Sequence, residues 1–250
     1  MTCDELVTAL KGIMGENLMS VVLYGSSAAG DFVPGFSGHD ILIIGQRLGA
    51  AELRALSPTL INWERDGNPL PQMFTSQELL DAADAFPIEL LDMRQSRRVL
   101  FGPDPLDGLK IDMQHFRGQL ERELKVRFQL LRRRYVACAG NDARLADLLA
   151  TSVSTFLVLL RAVLRLYNES VPAEKADVLG PLAEYVTYDP QPIRAALALR
   201  TRRQRPEPGE MERLFGQYLQ SIEQVVCAVD RYLHPPLKPR DEPLHENAHE

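Results

Sequence analysis

The stretch VVLYGSSAAGDFVPGFSGHDILII, residues 21–44, decides how the rest of this chain is read. Two apolar runs, 19–24 and 40–44, are bounded by Gly and Pro and are shorter than ordinary helices, so both are expected to be strands inside a sheet. Between them Gly25-Ser26-Ser27 opens a short helix that ends near Gly30, and a Pro/Gly loop follows. Backbone N–H groups and two hydroxyls at a helix start favour phosphate. Gly25, Ser26 and Ser27 are therefore the candidate nucleotide-binding residues. The plainer reading is a tight turn that needs glycine for its backbone and small neighbours for space. The stretch is not a P-loop, because no Gly-Lys-Ser/Thr follows the first glycine at the required spacing.

In order and spacing, Leu23-Tyr24-Gly25-Ser26-Ser27-Ala28-Ala29-Gly30-Asp31 and then Ser37-Gly38-His39-Asp40-Ile41-Leu42-Ile43-Ile44 resemble the nucleotidyltransferase superfamily of DNA polymerase beta. The likeness is to its small bacterial and aminoglycoside-modifying branches in particular. The resemblance implies an α+β fold, a mixed-sheet nucleotidyltransferase domain followed by an antiparallel helical bundle. It also implies transfer of a nucleoside monophosphate from an NTP to a hydroxyl. Two Mg²⁺ ions would activate that hydroxyl and stabilise the leaving pyrophosphate. The acceptor, an unidentified small molecule or protein, would lie in the cleft between the domains.

One departure bears on that chemistry. The family pattern carries Asp-x-Asp on the second strand, and here the first carboxylate is Gly38. Alternate strand residues face the same way, so the pair would have served one metal cluster. Asp40 remains as the candidate metal ligand, and a lone carboxylate is expected to hold Mg²⁺ weakly. His39 should leave the opposite face of the strand, and imidazole suits softer metals. The family's third carboxylate matches the run 70–74, whose polar side chain is Gln72. Glu89 falls where the aminoglycoside enzymes can carry the general base, and is the candidate catalytic residue. A solvated glutamate near Arg94 is the plainer reading of it. The chain is thus expected to be a nucleotidyltransferase-like protein, catalytically impaired or inactive. The alternatives are a non-catalytic nucleotide- or protein-binding module, and an active transferase that uses Asp40 with Glu89 or Asp31. Gly38→Asp is expected to rebuild the carboxylate pair, with Gln72→Asp needed besides for transfer.

Composition sets the outer bounds. The chain has 250 residues, 45% hydrophobic and 25% charged, enough for a proper core in one or two domains. A net charge of -6 argues against a general nucleic-acid-binding surface. Cys3, Cys138 and Cys227 form neither a Cys-x-x-Cys nor an even set, so no disulfide framework or zinc site is indicated. The N-terminus is acidic where a signal peptide would be basic. The longest apolar run, 156–160, is flanked by Arg161 and Arg165, and a cytoplasmic protein without a membrane span is expected. Arg132–Arg134 and the set Arg200, Arg202, Arg203 and Arg205 read as solvated helix ends.

Periodicity orders the remainder. Residues 4–14 and 50–64 fit amphipathic helices, the second kinked or broken at Pro58. Thr75 and Glu78 have the capping-box spacing of a helix running to about residue 85. Residues 86–100 mix helix and strand. Long helices are expected from Asp112 and Asp142 and over 209–233, with a shorter one from Pro172 and a fourth from Pro192 that dissolves into residues 200–206. This gives a nucleotidyltransferase-like domain over 1–108, a helical bundle over 109–234 and a disordered tail over 235–250. Residues 102–112 form the expected hinge.

Overall fold

The computed structural model describes residues 1–30, 38–111, 113, 115–167, 170–172, 174–201 and 209–233. Asp31, Ser37, Asp112, Arg202, Arg203, Arg205 and the tail 235–250 lie outside the described residues.

The first part is built on a four-stranded sheet of order β3-β2-β1-β4, from β1 (Leu18–Tyr24), β2 (Asp40–Gly45), β3 (Gln72–Thr75) and β4 (Arg97–Phe101). β1 runs antiparallel to β2 and β4, and β2 runs parallel to β3. The central strands are covered on both faces, so they read as continuous apolar runs rather than alternating ones. On one face Val21, Leu23, Ile41 and Ile43 pack with α1 (Cys3–Met14) and α3 (Ala50–Arg65), including the fully buried Trp63. On the other, Val22, Leu42 and Ile44 pack with α4 (Ser76–Asp81) and α5 (Pro87–Gln95) through Leu79, Leu90 and Met93. Between β1 and β2 stands α2 (Ser26–Ala29), a single turn.

Local signals account for most of these elements. Thr2 with Glu5 and Thr75 with Glu78 each form a reciprocal capping box at the starts of α1 and α4. Two backbone donors that a helix start would leave orphaned are satisfied in each. Pro58 does not break α3, which runs continuously over Ala50–Arg65. Pro58 and Arg54, four residues back, are both exposed, so the carbonyl that loses its partner faces solvent.

The second part is helical: α6 (Phe116–Val136), α7 (Asp142–Tyr167), α8 (Leu179–Ala183), α9 (Gln191–Ala198) and α10 (Glu210–Leu233). Their apolar stripes form one core, from Leu120, Leu124 and Phe128 across α7 to Tyr218, Ile222 and Val225. Three starts differ from the sequence expectation. α6 begins at Phe116 and not at Asp112. The cap of α7 is Asn141, whose Oδ1 accepts from Arg144 N at 3.0 Å, while Asp142 accepts from Gly209 N at 2.9 Å. The third helical piece begins at a 3-10 turn, Ala176–Val178, and not at Pro172. Against expectation, α7 is long and apolar enough to cross a membrane by length and composition, yet 67% of its most apolar stretch is buried inside the protein. It is the core helix of the bundle.

The two parts are fastened rather than hinged. Residues 102–111 are strapped onto the sheet. Ser20 Oγ donates to Pro103 O at 2.7 Å, Arg97 pairs with Asp104 at 2.6 Å, and Leu106 and Leu109 are buried on the α5 face. The φ of Gly102 is 74°, and a Cβ there would lie 2.1 Å from Met19 O, so this strap needs glycine. α5 belongs to both cores, with Leu90 in the sheet layer and Ile88 and Leu91 in the bundle. From the same helix Asp92 forms an ion pair with Arg161 of α7, which is 1% exposed. Nearby Arg165 donates to Gln95 Oε1 at 2.9 Å.

Breaking a buried pair by removing one partner commonly costs about 3–5 kcal/mol. Asp92→Ala is therefore expected to destabilise the protein by about 3 kcal/mol in urea unfolding. Adding Arg161→Met should recover part of that loss, so the double-mutant cycle is non-additive. Additive losses would mean that the pair does not couple the two parts.

Candidate functional site

The end of β1 and the start of β2 are register partners, Tyr24 opposite Asp40, and the chain turns sharply just beyond. Gly25 adopts φ 72° and ψ −148°, a conformation closed to other residues, and its N–H donates to Ser96 O at 3.0 Å. A Cβ on Gly25 would lie 2.7 Å from Asp40 Oδ2, so this glycine is also what lets the carboxylate lie against the backbone. Ser26 and Ser27 then diverge. Ser26 lines a cavity between the sheet and the bundle. Ser27 Oγ lies 3.0 Å from Gly38 O and 3.0 Å from His39 Nδ1, and so ties the two ends of the intervening loop.

The space beside Gly38 is filled. Residues 67–69, the turn after α3, are held by Trp63 Nε1 donating to Pro69 O at 3.0 Å and by Asn68 Nδ2 donating to Trp63 O at 3.3 Å. Asn68 Oδ1 in turn accepts from His39 N at 3.0 Å. A Cβ on Gly38 would meet Pro69 Cδ at 2.5 Å, Asn68 Cα at 3.1 Å and Gly67 O at 3.1 Å. Most of these atoms belong to backbone or ring and cannot swing aside. The expectation that Gly38→Asp rebuilds a carboxylate pair is therefore corrected: this position has no room for a side chain. The ring of His39 stands 6.0 Å from that of Trp63, on the α3 face, while Asp40 opens to the cavity.

The cavity measures about 1010 Å³. From the sheet side it is lined by Ser26, Asp40, Glu64 and the 67–69 turn, and from the bundle side by Lys175, Arg194 and Arg200, with Leu157, Leu197 and Ala198 as apolar wall. Burial raises the carboxyl of Asp40 above the usual range; Lys175 opposes this and Asp92 adds to it. The phenol of Tyr24 is pushed up by burial and by the same two carboxylates, Asp40 and Asp92. Tyr24, Asp40, Asp92 and Lys175 thus share one electrostatic environment, and Lys175 Nζ lies 3.4 Å from Asp92 Oδ2.

The other candidates stand apart from it. Glu89 is exposed on α5 and does not line the cavity. Desolvation raises its carboxyl, and among its charged neighbours Glu123 raises it further and Arg127 lowers it, both from α6. Solvent screening discounts a shift on a group this exposed. Gln72 is exposed, pairs with Leu42 and does not line the cavity either. Of the arginines read as solvated helix ends, Arg132 pairs with Glu223 at 2.8 Å, but Arg200 lines the cavity. Asp92, Lys175 and Arg194 carried no sequence signal of their own. A two-Mg²⁺ cluster does not fit this donor set. Among the described residues no three His, Cys, Asp or Glu side chains come together to hold a metal, Gly38 is wedged, and an ammonium group shares the carboxylates' surroundings.

Two outcomes follow from the geometry. A carboxyl raised in the folded state binds protons more tightly there than when unfolded. Stability therefore falls as pH rises from the ordinary carboxylate value through the raised one. Asp40→Asn is expected to melt higher than wild type at pH 7, with the difference vanishing near pH 3 where both forms are neutral; a lower melting point at pH 7 would refute it. Gly38→Asp is expected to destabilise by about 1–3 kcal/mol through overpacking, and to gain no Mg²⁺-dependent stabilisation in the same melts.

No protein-family model matches the chain, and no curated protein is similar to it in sequence. Among solved structures it is similar to spectinomycin adenyltransferase AAD(9) from Enterococcus faecialis, determined with ATP and spectinomycin. The identity is 14% and the TM-score 0.56, over 90% of this chain and 98% of that one. The chain has a nucleotidyltransferase-like fold: a four-stranded mixed sheet followed by a helical part.

Proposed function

We propose that this protein binds a nucleotide through its phosphates in the cavity between sheet and bundle, and that it no longer transfers nucleoside monophosphate efficiently. The ancestral reaction would have moved NMP from an NTP to a hydroxyl acceptor. The observation that carries this reading is the pairing of a roomy, cation-lined cavity with a wedged Gly38. Lys175, Arg194 and Arg200 supply positive charge and donors for phosphate oxygens, and Ser26 adds a hydroxyl from the other wall. The apolar wall of Leu157, Leu197 and Ala198 suits a base or sugar face. The neighbour's ATP agrees with this choice of ligand, although the lining residues bear the weight of it. Catalysis is a different matter. Metal ions in such enzymes generate the nucleophile and neutralise the leaving group, and Asp40 has no partner at position 38 to gather them. Mg²⁺ is accordingly a weak ligand here, and Glu89 is not the base of this site.

The test is calorimetric titration of ATP and GTP, each with Mg²⁺ and with EDTA, beside a labelled-NTP transfer assay. Binding that survives EDTA, weakens on Arg194→Ala and comes without transfer is expected. One lost charge-assisted contact should reduce affinity about tenfold. Metal-dependent transfer abolished by Asp40→Ala would instead reveal a live enzyme. Absence of any nucleotide binding would leave a protein partner as the occupant of the old cleft.

A further inference from the structure

The basic residues of the cavity are not equivalent. Arg194 is exposed at its wall, whereas the side chain of Lys175 retains only 15% of its exposure. Its ammonium lies 3.4 Å from Asp92 Oδ2, and it lines the same cavity as Asp40. Asp92 is itself anchored by Arg161, so Lys175 meets a carboxylate that cannot swing away. Asp40 is fixed from the other side, its Oδ2 lying against the backbone of Gly25. A cation paired with one anchored carboxylate, and lining the same cavity as a second, is placed where a divalent metal could sit in a phosphate-binding site. Here the cation belongs to the chain.

We propose that Lys175 is the resident cation of this cavity, filling the role of a divalent metal between Asp40 and Asp92, so that the site takes a nucleoside triphosphate as the free anion and not as its Mg²⁺ chelate. The choice of ligand rests on the function proposed above; the role of Lys175 towards the two carboxylates does not. An ammonium has three donors, two for carboxylates and one for a phosphate oxygen. It also repels an incoming Mg²⁺ or Mn²⁺ from the carboxylates it neutralises. The lowering influence of Lys175 on the carboxyl of Asp40 agrees with this placement.

Two arms test the proposal separately. The first needs no nucleotide: Mn²⁺ binding is followed by electron paramagnetic resonance for wild type, Lys175→Ala, Lys175→Arg and the double variant Lys175→Ala/Asp40→Asn. Millimolar Mn²⁺ is expected to remain free with wild type and Lys175→Arg, to bind Lys175→Ala, and to be lost again in the double variant. Wild type that binds Mn²⁺ through Asp40, or a folded Lys175→Ala that gains nothing, would overturn the proposal. The second arm titrates ATP in EDTA. Lys175→Gln is expected to weaken binding about tenfold to a hundredfold and Lys175→Arg much less. Undiminished affinity in Lys175→Gln would count against it. If wild type bound no nucleotide at all, the function proposed above would fail while the Mn²⁺ arm still decided the role of Lys175. Circular dichroism of each variant separates a lost site from a lost fold.

Discussion

The ion pair between Asp92 and Arg161 is the constraint on which the rest of this arrangement depends. Arg161 is 1% exposed on α7, the long apolar core helix of the bundle, where an uncompensated guanidinium would be costly. Its partner comes from α5, the helix that supplies side chains to the sheet layer and to the bundle alike. The pair therefore sets where α7 lies against the sheet domain. That placement brings Lys175, Arg194 and Arg200 opposite Ser26 and Asp40 across a cavity of about 1010 Å³. Net stabilisation by a buried pair is often near zero relative to a well-packed apolar substitute. Its value here is positional, since an apolar contact could slide where a carboxylate on a guanidinium cannot.

A second constraint works on the other wall. Trp63, His39 and the turn 67–69 hold one another through hydrogen bonds of 3.0–3.3 Å, and the turn presses on Gly38. An aspartate at position 38 therefore could not be accommodated by that one substitution alone. The neighbouring turn occupies the volume beside Gly38, and close-packed surroundings resist insertion of even a small side chain. Gly25 shows the converse, a glycine kept because both its backbone angles and the approach of Asp40 demand it.

What could be read in the sequence follows the range of the interactions involved. The strands around residues 21–44, the capping box at Thr75 and the long helical stripes depend on neighbours within a few positions, and all are legible. The third helix was misplaced because Pro172 gives a start signal without the periodicity to follow it, and the helical turns there begin at Ala176. The strap over 102–111 looked like a hinge because Pro and Gly interrupt its pattern. Its ties to Ser20, 83 residues away at the farthest, leave no local trace. The same holds at the site. Asp40 and Ser26 were found through a short motif, but the partners of Asp92 lie 69 and 83 positions away at Arg161 and Lys175. No spacing rule connects such residues; only the packing of α5 on α7 does.

A lysine in the place of a bound metal, as proposed for Lys175, would separate binding from chemistry. A divalent ion must be taken from solution and partly stripped of water, and the site then depends on its concentration. The ordering of a lysine side chain is instead settled once, on folding. Phosphate binding is then preserved whatever the cation supply. What an ammonium cannot supply is Lewis acidity: it neither lowers the pKa of an acceptor hydroxyl nor carries the charge density that stabilises departing pyrophosphate. On the reading proposed above, the wedge at Gly38 and the ammonium at Lys175 would act in the same direction from opposite walls of the cavity. One would deny a metal a ligand and the other would occupy its place. Together they would leave a pocket shaped for a nucleotide and poorly equipped to cleave it.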